Sequence, residues 1–212
     1  MEGSASAPTH ASIELEPPEW QPRALWVGAR QLCGVAAFFF VSFVFAYFYL
    51  RSLDPDNTWK IGSVSAPTGW GIAIVVVLIL SAGALRAALT RPARTVSAGA
   101  VALTLGLLSV VLQVITWTTL GFGPASGGFA SVYVGWTAFY AVFTLPCLFW
   151  IETQVATAWR RGREGVRGTT PATAAEVHTD PAVIGAGLEA CSFFWNFYVF
   201  NGLVLFVLLY LL

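Results

Sequence analysis

VSAGAVALTLGLLSVVLQVITWTT, residues 96–119, is an uninterrupted run without a single charged side chain. A helix needs about 20 predominantly apolar residues to cross the hydrocarbon core of a bilayer, and this run is long enough. Further apolar stretches of this kind occur at residues 24–50, 70–89, 130–157 and 184–212. The pattern predicts an all-α integral membrane protein, folded as a bundle of five transmembrane helices.

The composition agrees with this prediction. Of the 212 residues, 57% are hydrophobic and 10% are charged, whereas a soluble domain carries about 25% charged residues. The formal net charge of 0 disfavours nucleic acid as a partner. Residues 23–212 are predicted to form a single transmembrane helical domain. The polar residues 1–22 are predicted to be a flexible cytoplasmic tail, with an acidic docking arm as the alternative.

Basic residues indicate the orientation in the membrane. With the N-terminus inside, nine Lys and Arg residues fall on the inner side and two on the outer side. Cytoplasmic loops carry an excess of Lys and Arg, so the N-terminus is predicted to be cytoplasmic and the C-terminus outside. The inner residues are Arg23, Arg30, Arg86, Arg91, Arg94, Arg160, Arg161, Arg163 and Arg167, and the outer ones are Arg51 and Lys60.

Two connecting segments have distinctive compositions. Residues 159–183 begin with the basic sequence WRRGREGVR and are predicted to be the longest internal loop. Its residues Arg160, Arg161 and Arg163 are predicted to set the topology and to contact anionic lipid head groups. The uncharged, glycine-rich GFGPASGG at 121–128 is predicted to be a turn on the outer side.

Three charged residues, Arg30, Glu152 and Glu189, lie inside the apolar stretches at least five residues from either end. Each is placed roughly 10 Å from the cytoplasmic edge by the helical rise per residue. A charge inside a membrane is costly and is usually paired or functional. We predict that Arg30 pairs with one of the two glutamates or with a lipid phosphate. The alternatives are proton handling near the cytoplasmic face, or charges that snorkel without a fixed partner.

Four polar residues in the apolar stretches need hydrogen-bond partners: Gln113, Tyr140, Asn196 and Asn201. Helix-to-helix hydrogen bonds are the predicted role, because unsatisfied polar groups are costly in lipid. A path for water or protons is the alternative.

Small residues indicate where helices approach each other closely. The predicted packing residues are Gly34, Ala36 and Ala37 in the first helix and Ala84 and Ala88 in the second.

Few residues in this chain have metal-binding or catalytic chemistry. The only histidines, His10 and His178, lie in predicted loops, and Met1 is the only methionine. Haem is usually held in membrane proteins by His or by His with Met, and copper and zinc need clustered His, Cys or carboxylate ligands. The three cysteines are single residues on different predicted helices. We therefore predict no catalytic residue, no metal ligand and no haem ligand, and no cofactor held by this chain itself.

The order of several motifs resembles the five-helix form of subunit III of haem-copper cytochrome c oxidases. Each motif is apolar and aromatic, so the resemblance rests on their order, spacing and topology together, and it covers residues 25–212. The motifs that carry it are FAYFYLR at 45–51, LGLLSVVLQVITW at 105–117, FASVYVGWTAFYAVF at 129–143 and FFWNFYVFNGLVLFVLLYLL at 193–212.

The chain departs from that family at most of its polar positions. The family's first-helix glutamate corresponds to Ala36, and its two fourth-helix histidines correspond to Tyr140 and Phe143. The final-helix histidine corresponds to Asn196 and the aspartate after it to Val199. The resemblance thus extends to the apolar frame, and it does not imply a proton-buffering role that depends on the family's glutamate.

The resemblance implies a non-catalytic accessory subunit of a terminal oxidase that reduces oxygen to water and pumps protons. Such a subunit packs on subunit I, which holds the haems and copper, assembles with subunit II, binds phospholipid, and supports turnover and proton uptake. It implies a location in the bacterial cytoplasmic membrane. One alternative is a subunit III-like component of a quinol oxidase, a nitric-oxide reductase or a respiratory supercomplex. The other is an independent small transporter or membrane scaffold.

Overall fold

The protein is a bundle of membrane-spanning helices. The computed structural model describes residues 20–54, 59–60, 64–167 and 181–212. Each of the five long helices in these ranges is long and apolar enough to cross a bilayer, which confirms the predicted all-α, multi-pass membrane bundle. The helices are α1 (Trp20–Ser52), α2 (Thr68–Thr90), α3 (Thr95–Thr118), α4 (Gly128–Arg167) and α5 (Pro181–Phe206).

The observed helix ends differ from the predicted ones, most of all at the end of α4. α1 already begins at Trp20, inside the predicted tail, and residues 1–19 lie outside the described residues. α4 continues to Arg167, so the basic first part of the predicted loop 159–183 is helical. Arginine is a good helix former, and extending the helix beyond the apolar span carries these charges towards water. Residues 168–180, the rest of that loop, lie outside the described residues.

α4 and α5 each pack against three other helices: α5 packs against α1, α2 and α4, and α4 packs against α1, α3 and α5. α2 and α3 form a tightly packed hairpin, and α3 also packs against α4. A 3₁₀ turn, Pro92–Arg94, joins the two helices of the hairpin. Within it, the Ser81 hydroxyl donates a hydrogen bond to the carbonyl oxygen of Ala102, at 2.7 Å. α3 and α4 are further joined by the indole of Trp117, which donates to the Thr137 hydroxyl at 3.0 Å.

The predicted small-residue contacts are realised to different extents. Ala36 and Ala88 are each 1% exposed and belong to the apolar core, while Ala37 and Ala84 are half-buried. Gly34 is exposed, and a Cβ built there would meet no atom within 4 Å. Gly34 therefore makes no close helix contact within the described chain.

Two glycines of α3 allow close packing along the seam between α3 and α4. A Cβ at Gly99 would overlap the Val155 side chain, and one at Gly106 would overlap the Leu148 side chain. These glycines are seven residues apart on α3, so they lie on one face two turns apart. The absence of a side chain at both positions lets α4 approach the backbone of α3.

The end of the bundle where α3 connects to α4 is closed by a turn and an aromatic cluster. The predicted turn at 121–128 is present, with the Ser126 amide donating to the Gly123 carbonyl at 3.0 Å. Gly127 has φ 114°, a conformation that side chains disfavour. Trp59 lies under this turn at 8% exposure. Its carbonyl accepts from the Phe129 amide at 3.0 Å, and its ring centroid lies 5.3 Å from that of Tyr47.

Candidate functional site

Polar side chains meet in the interior of the bundle, at mid-height on three helices. Ser109 and Gln113 lie four residues apart on α3, and Tyr140 and Thr144 lie four apart on α4. This spacing places each pair on one helix face. Together with Tyr198 of α5 they form what we call the interior polar cluster, and each of the five is at most 7% exposed.

Tyr140 and Tyr198 are the centre of the cluster and join α4 to α5. Their rings are stacked, with centroids 4.5 Å apart and planes at 21°. The Tyr140 hydroxyl donates to the backbone carbonyl of Tyr198 at 3.0 Å, and the Tyr198 hydroxyl donates to the carbonyl of Tyr140. The Thr144 hydroxyl lies 2.9 Å from that same Tyr140 carbonyl and 3.1 Å from the Tyr198 hydroxyl. The predicted helix-to-helix role of Tyr140 is seen in these bonds.

Gly202 gives Tyr140 the room for this arrangement. A Cβ at Gly202 would overlap the Tyr140 hydroxyl and would lie 3.4 Å from the Leu78 side chain. α5 can therefore pass close to both α4 and α2 at this level. Gly202 was not among the packing residues predicted from the sequence, although a glycine inside an apolar helix is a recognised signal of close packing.

The α3 side of the cluster is less completely paired. The Ser109 hydroxyl donates to the Gly106 carbonyl of its own helix at 2.6 Å. Gln113 is 7% exposed, and its Nε2 atom is buried without a hydrogen-bond partner in the protein. A cavity of about 10 Å³ lies beside these residues. Gln113 and Tyr140 were predicted from the sequence as polar contacts, and the i, i+4 spacing could have indicated Ser109 and Thr144 as well.

Asn196 and Asn201 lie outside the interior polar cluster and bond within their own helix. The Asn196 side chain donates to the Ser192 carbonyl at 2.7 Å, and that of Asn201 donates to the Phe197 carbonyl at 2.8 Å. These bonds replace the predicted contacts to a neighbouring helix. A short amide side chain reaches the carbonyl four residues earlier, which satisfies its donor without a second helix.

The three charged residues in the apolar segments do not converge. Arg30, Glu152 and Glu189 are all exposed on the bundle surface, and no salt bridge joins Arg30 to either glutamate in the part of the chain that the structure describes. The guanidinium carbon of Arg30 instead lies 5.7 Å from the ring centroid of Trp26. The predicted intramolecular ion pair is thus not formed: Glu152 and Glu189 border separate surface depressions, and Arg30 lies beside Trp26 of its own helix. The predicted lipid contact remains a prediction.

Each glutamate lines its own surface depression. Glu152 borders a groove of about 360 Å³ between α3 and α4, together with Thr104 and Trp159. Glu189 borders a cleft of about 710 Å³ where the C-terminal ends of α2 and α4 meet the N-terminal ends of α3 and α5, and Arg161 lines the same cleft.

The basic residues after Glu152 lie at the inner end of α4. Arg160 and Arg163 are exposed and Arg161 is half-buried. The guanidinium carbon of Arg163 lies 4.9 Å from the Trp159 ring centroid, an arrangement that suits an amphipathic belt at a membrane surface. Their contact with lipid head groups remains a prediction.

The positions where the resembled family has polar residues are mostly apolar and packed here. Ala36 is 1% exposed and Val199 is 6% exposed, and both belong to the core. Phe143 packs against Phe139, with ring centroids 5.0 Å apart. Tyr140 and Asn196 are the polar exceptions: the Tyr140 hydroxyl takes part in the interior polar cluster, and the Asn196 amide donates to Ser192 within α5.

Residues able to bind a metal do not gather in the described ranges. There, no group of three or more His, Cys, Asp or Glu residues comes together, and Cys33, Cys147 and Cys191 are free thiols. His10 and His178 lie outside the described residues.

Comparison of the chain with protein-family models and with curated proteins gives no match. The resemblance to oxidase subunit III therefore stays a prediction from the order of the sequence motifs.

Proposed function

We propose that this chain is a non-catalytic accessory subunit of a respiratory terminal oxidase of the cytochrome c oxidase type. In this proposal it lies in a bacterial cytoplasmic membrane, packs on subunit I, assembles with subunit II and binds phospholipid. The haems and copper belong to the partner subunits. The order of the sequence motifs supports the proposal, and the five-helix bundle has the architecture that the resemblance implies.

The observation that carries the proposal is the outward direction of the charges in the membrane segments. Arg30, Glu152 and Glu189 are exposed on the bundle surface instead of paired inside it. A charged side chain facing hydrocarbon costs at least about 2.5 kcal/mol unless it finds a partner. In this proposal another subunit or lipid head groups supply the partners of Arg30 and Glu152, whereas Glu189 shares its cleft with Arg161. Outward-facing charges are expected of a chain that works within a larger assembly.

The packing of the interior supports an accessory role over an independent transporter. Towards the outer end, the interior polar cluster is covered by Trp136 and Tyr133, each 0% exposed. Towards the inner end it is covered by Leu148, Ile151 and Trp195, at 5%, 0% and 1% exposure. These layers separate the polar residues from both membrane surfaces. A sealed interior of this kind fits a rigid structural subunit better than a substrate path.

The test is purification of the tagged chain in mild detergent, with a reduced-minus-oxidised spectrum and subunit masses from the same sample. The proposal expects haem absorbance together with a large haem-bearing partner. The haem type and the partner masses distinguish a cytochrome c oxidase from a quinol oxidase, a nitric-oxide reductase or a supercomplex. A folded chain that purifies alone and without haem overturns the proposal and favours a transporter or scaffold.

Charge-neutral variants test the role of the outward charges. Arg30→Gln, Glu152→Gln and Glu189→Gln remove one charge each, and at least one of them should lower the haem recovered per tagged chain. Arg163→Gln is the matched control, because Arg163 lies at the inner end of α4 beside Trp159. Equal haem recovery in all four variants would show that the charges do not hold the partner, even where the wild-type chain carries haem.

A further inference from the structure

We propose that the interior polar cluster binds one water molecule between α3 and α4, and that Gln113 is the donor that holds it. The cavity beside Gln113 measures about 10 Å³, which is the room that a single water molecule needs. Ser109, Tyr140 and Thr144 also line it. The proposal concerns the interior of the bundle and does not depend on which complex the chain joins.

The side chain of Gln113 requires a partner that the protein does not supply. The Gln113 side chain is buried, with 7% of its surface exposed, and its Nε2 atom has no hydrogen-bond partner in the protein. Nearly all buried polar side-chain atoms in folded proteins have a partner, either a protein group or an ordered water. The amide therefore points to a ligand that accepts hydrogen bonds and is no larger than water.

Each hydroxyl group of the cavity wall already donates a hydrogen bond to a backbone carbonyl. Ser109 donates to the Gly106 carbonyl at 2.6 Å, and Tyr140 donates to the Tyr198 carbonyl at 3.0 Å. Thr144 donates to the Tyr140 carbonyl at 2.9 Å. Their oxygens can therefore accept hydrogen bonds but have no further proton to give.

Water is the small molecule that completes this arrangement. It accepts from Nε2 of Gln113 and donates to two of the hydroxyl oxygens, so all of its usual bonds but one are used. Turning the Gln113 amide over would instead place its Oε1 atom against oxygens that have no free proton. A direct bond from the wall to the amide is thus no substitute for the water.

The bound water ties α3 to the stacked tyrosines. α4 and α5 are joined directly by Tyr140 and Tyr198, whereas Gln113 of α3 makes no such direct bond. A water between Gln113 and Thr144 extends the hydrogen-bonded network to α3. Because apolar layers cover both sides of the cluster, we infer a structural water with slow exchange and not a step in a water path.

The direct test is a density map of the full chain, alone or in its complex, at a resolution that shows ordered waters. The expected result is one peak at hydrogen-bonding distance, about 2.7–3.2 Å, from Nε2 of Gln113 and from at least one wall hydroxyl. Ordered waters at the outer turn around Ser126 serve as the internal control for map quality. A map that shows those waters but no peak beside Gln113 overturns the proposal.

A stability cycle gives a second, independent readout. Ala141 lines the cavity, so Ala141→Val fills the space and expels the water. This should lower the unfolding temperature by roughly 5 °C, since the Gln113 amide loses its partner. Gln113→Leu removes the amide, so in that background Ala141→Val should lower the unfolding temperature much less.

The cycle also separates a bound water from a dry cavity. If the cavity holds no water, filling it with the two added methyl groups of valine removes none of the amide's bonds. Ala141→Val would then shift the unfolding temperature equally in the wild-type and Gln113→Leu backgrounds, and this equality would contradict the proposal.

Discussion

At the scale of single residues, glycines decide how the interior polar cluster is built. Gly202 has no side chain, and the Tyr140 hydroxyl occupies the space that a Cβ would take. This contact lets Tyr140 reach the Tyr198 carbonyl at 3.0 Å. The reciprocal tyrosine pair therefore depends on a residue that has no side chain.

Gly202→Ala is expected to destabilise the protein. The added methyl group must displace the Tyr140 hydroxyl and break its bond to α5, an overpacking effect of about 1–3 kcal/mol. The free energy of unfolding in detergent or nanodiscs measures it. Gly185→Ala is the matched control on the same helix, because a Cβ there would meet no atom within 4 Å. An unchanged stability for Gly202→Ala would show that Tyr140 is not held where the structure places it.

At the scale of helices, the α2–α3 hairpin combines a short connection with a hydrogen bond across the interface. Ser81 is 0% exposed, and its hydroxyl donates to the Ala102 carbonyl at 2.7 Å. Ser42, by contrast, is exposed and donates to Phe38 of its own helix at 2.8 Å. The two serines therefore separate the effect of an interhelical bond from that of a bond within one helix.

Ser81→Ala should lower the free energy of unfolding by about 0.6 kcal/mol, the average for interhelical hydrogen bonds in a membrane bundle. Ser42→Ala should leave it unchanged, because the bond it removes does not join two helices. Equal effects of the two substitutions would indicate that the Ser81 bond adds nothing to the packing of α2 on α3.

At the scale of the whole molecule, the charge distribution predicts the orientation of the bundle in the membrane. The charge distribution predicts a cytoplasmic N-terminus, which places the α2–α3 connection inside and the α3–α4 turn outside. Ala93 and Ala125 lie in these two connections, and both are exposed. Each can carry a single cysteine once the native cysteines are replaced by alanine.

Ala125→Cys should react with a membrane-impermeant maleimide in intact cells, and Ala93→Cys should react only after permeabilisation. The physical reason is the excess of Arg and Lys on one side, nine residues against two, which retains those segments in the cytoplasm. Labelling is measured by the mass shift of the purified chain. The reverse pattern would mean that the C-terminus is cytoplasmic.

The sequence by itself determined the number of helices, their approximate positions and the membrane environment. The run at residues 96–119 has no charged residue, so it is stable in lipid. Because unpaired backbone groups are costly in lipid, such a run forms a helix, which satisfies them within the segment. Helix ends were less predictable: the arginines after Trp159 continue α4, because Arg favours a helix as well as a polar loop.

Only the tertiary structure decided which polar residues meet. Apolar helices carry little information on which face turns inwards, because lipid accepts the same side chains as the core does. Tyr140 therefore pairs with Tyr198 across two helices, whereas Asn196 and Asn201 bond within α5. Arg30, Glu152 and Glu189 share a depth in the sequence but face different directions, because depth follows from the helical rise whereas direction depends on the rotation set by packing.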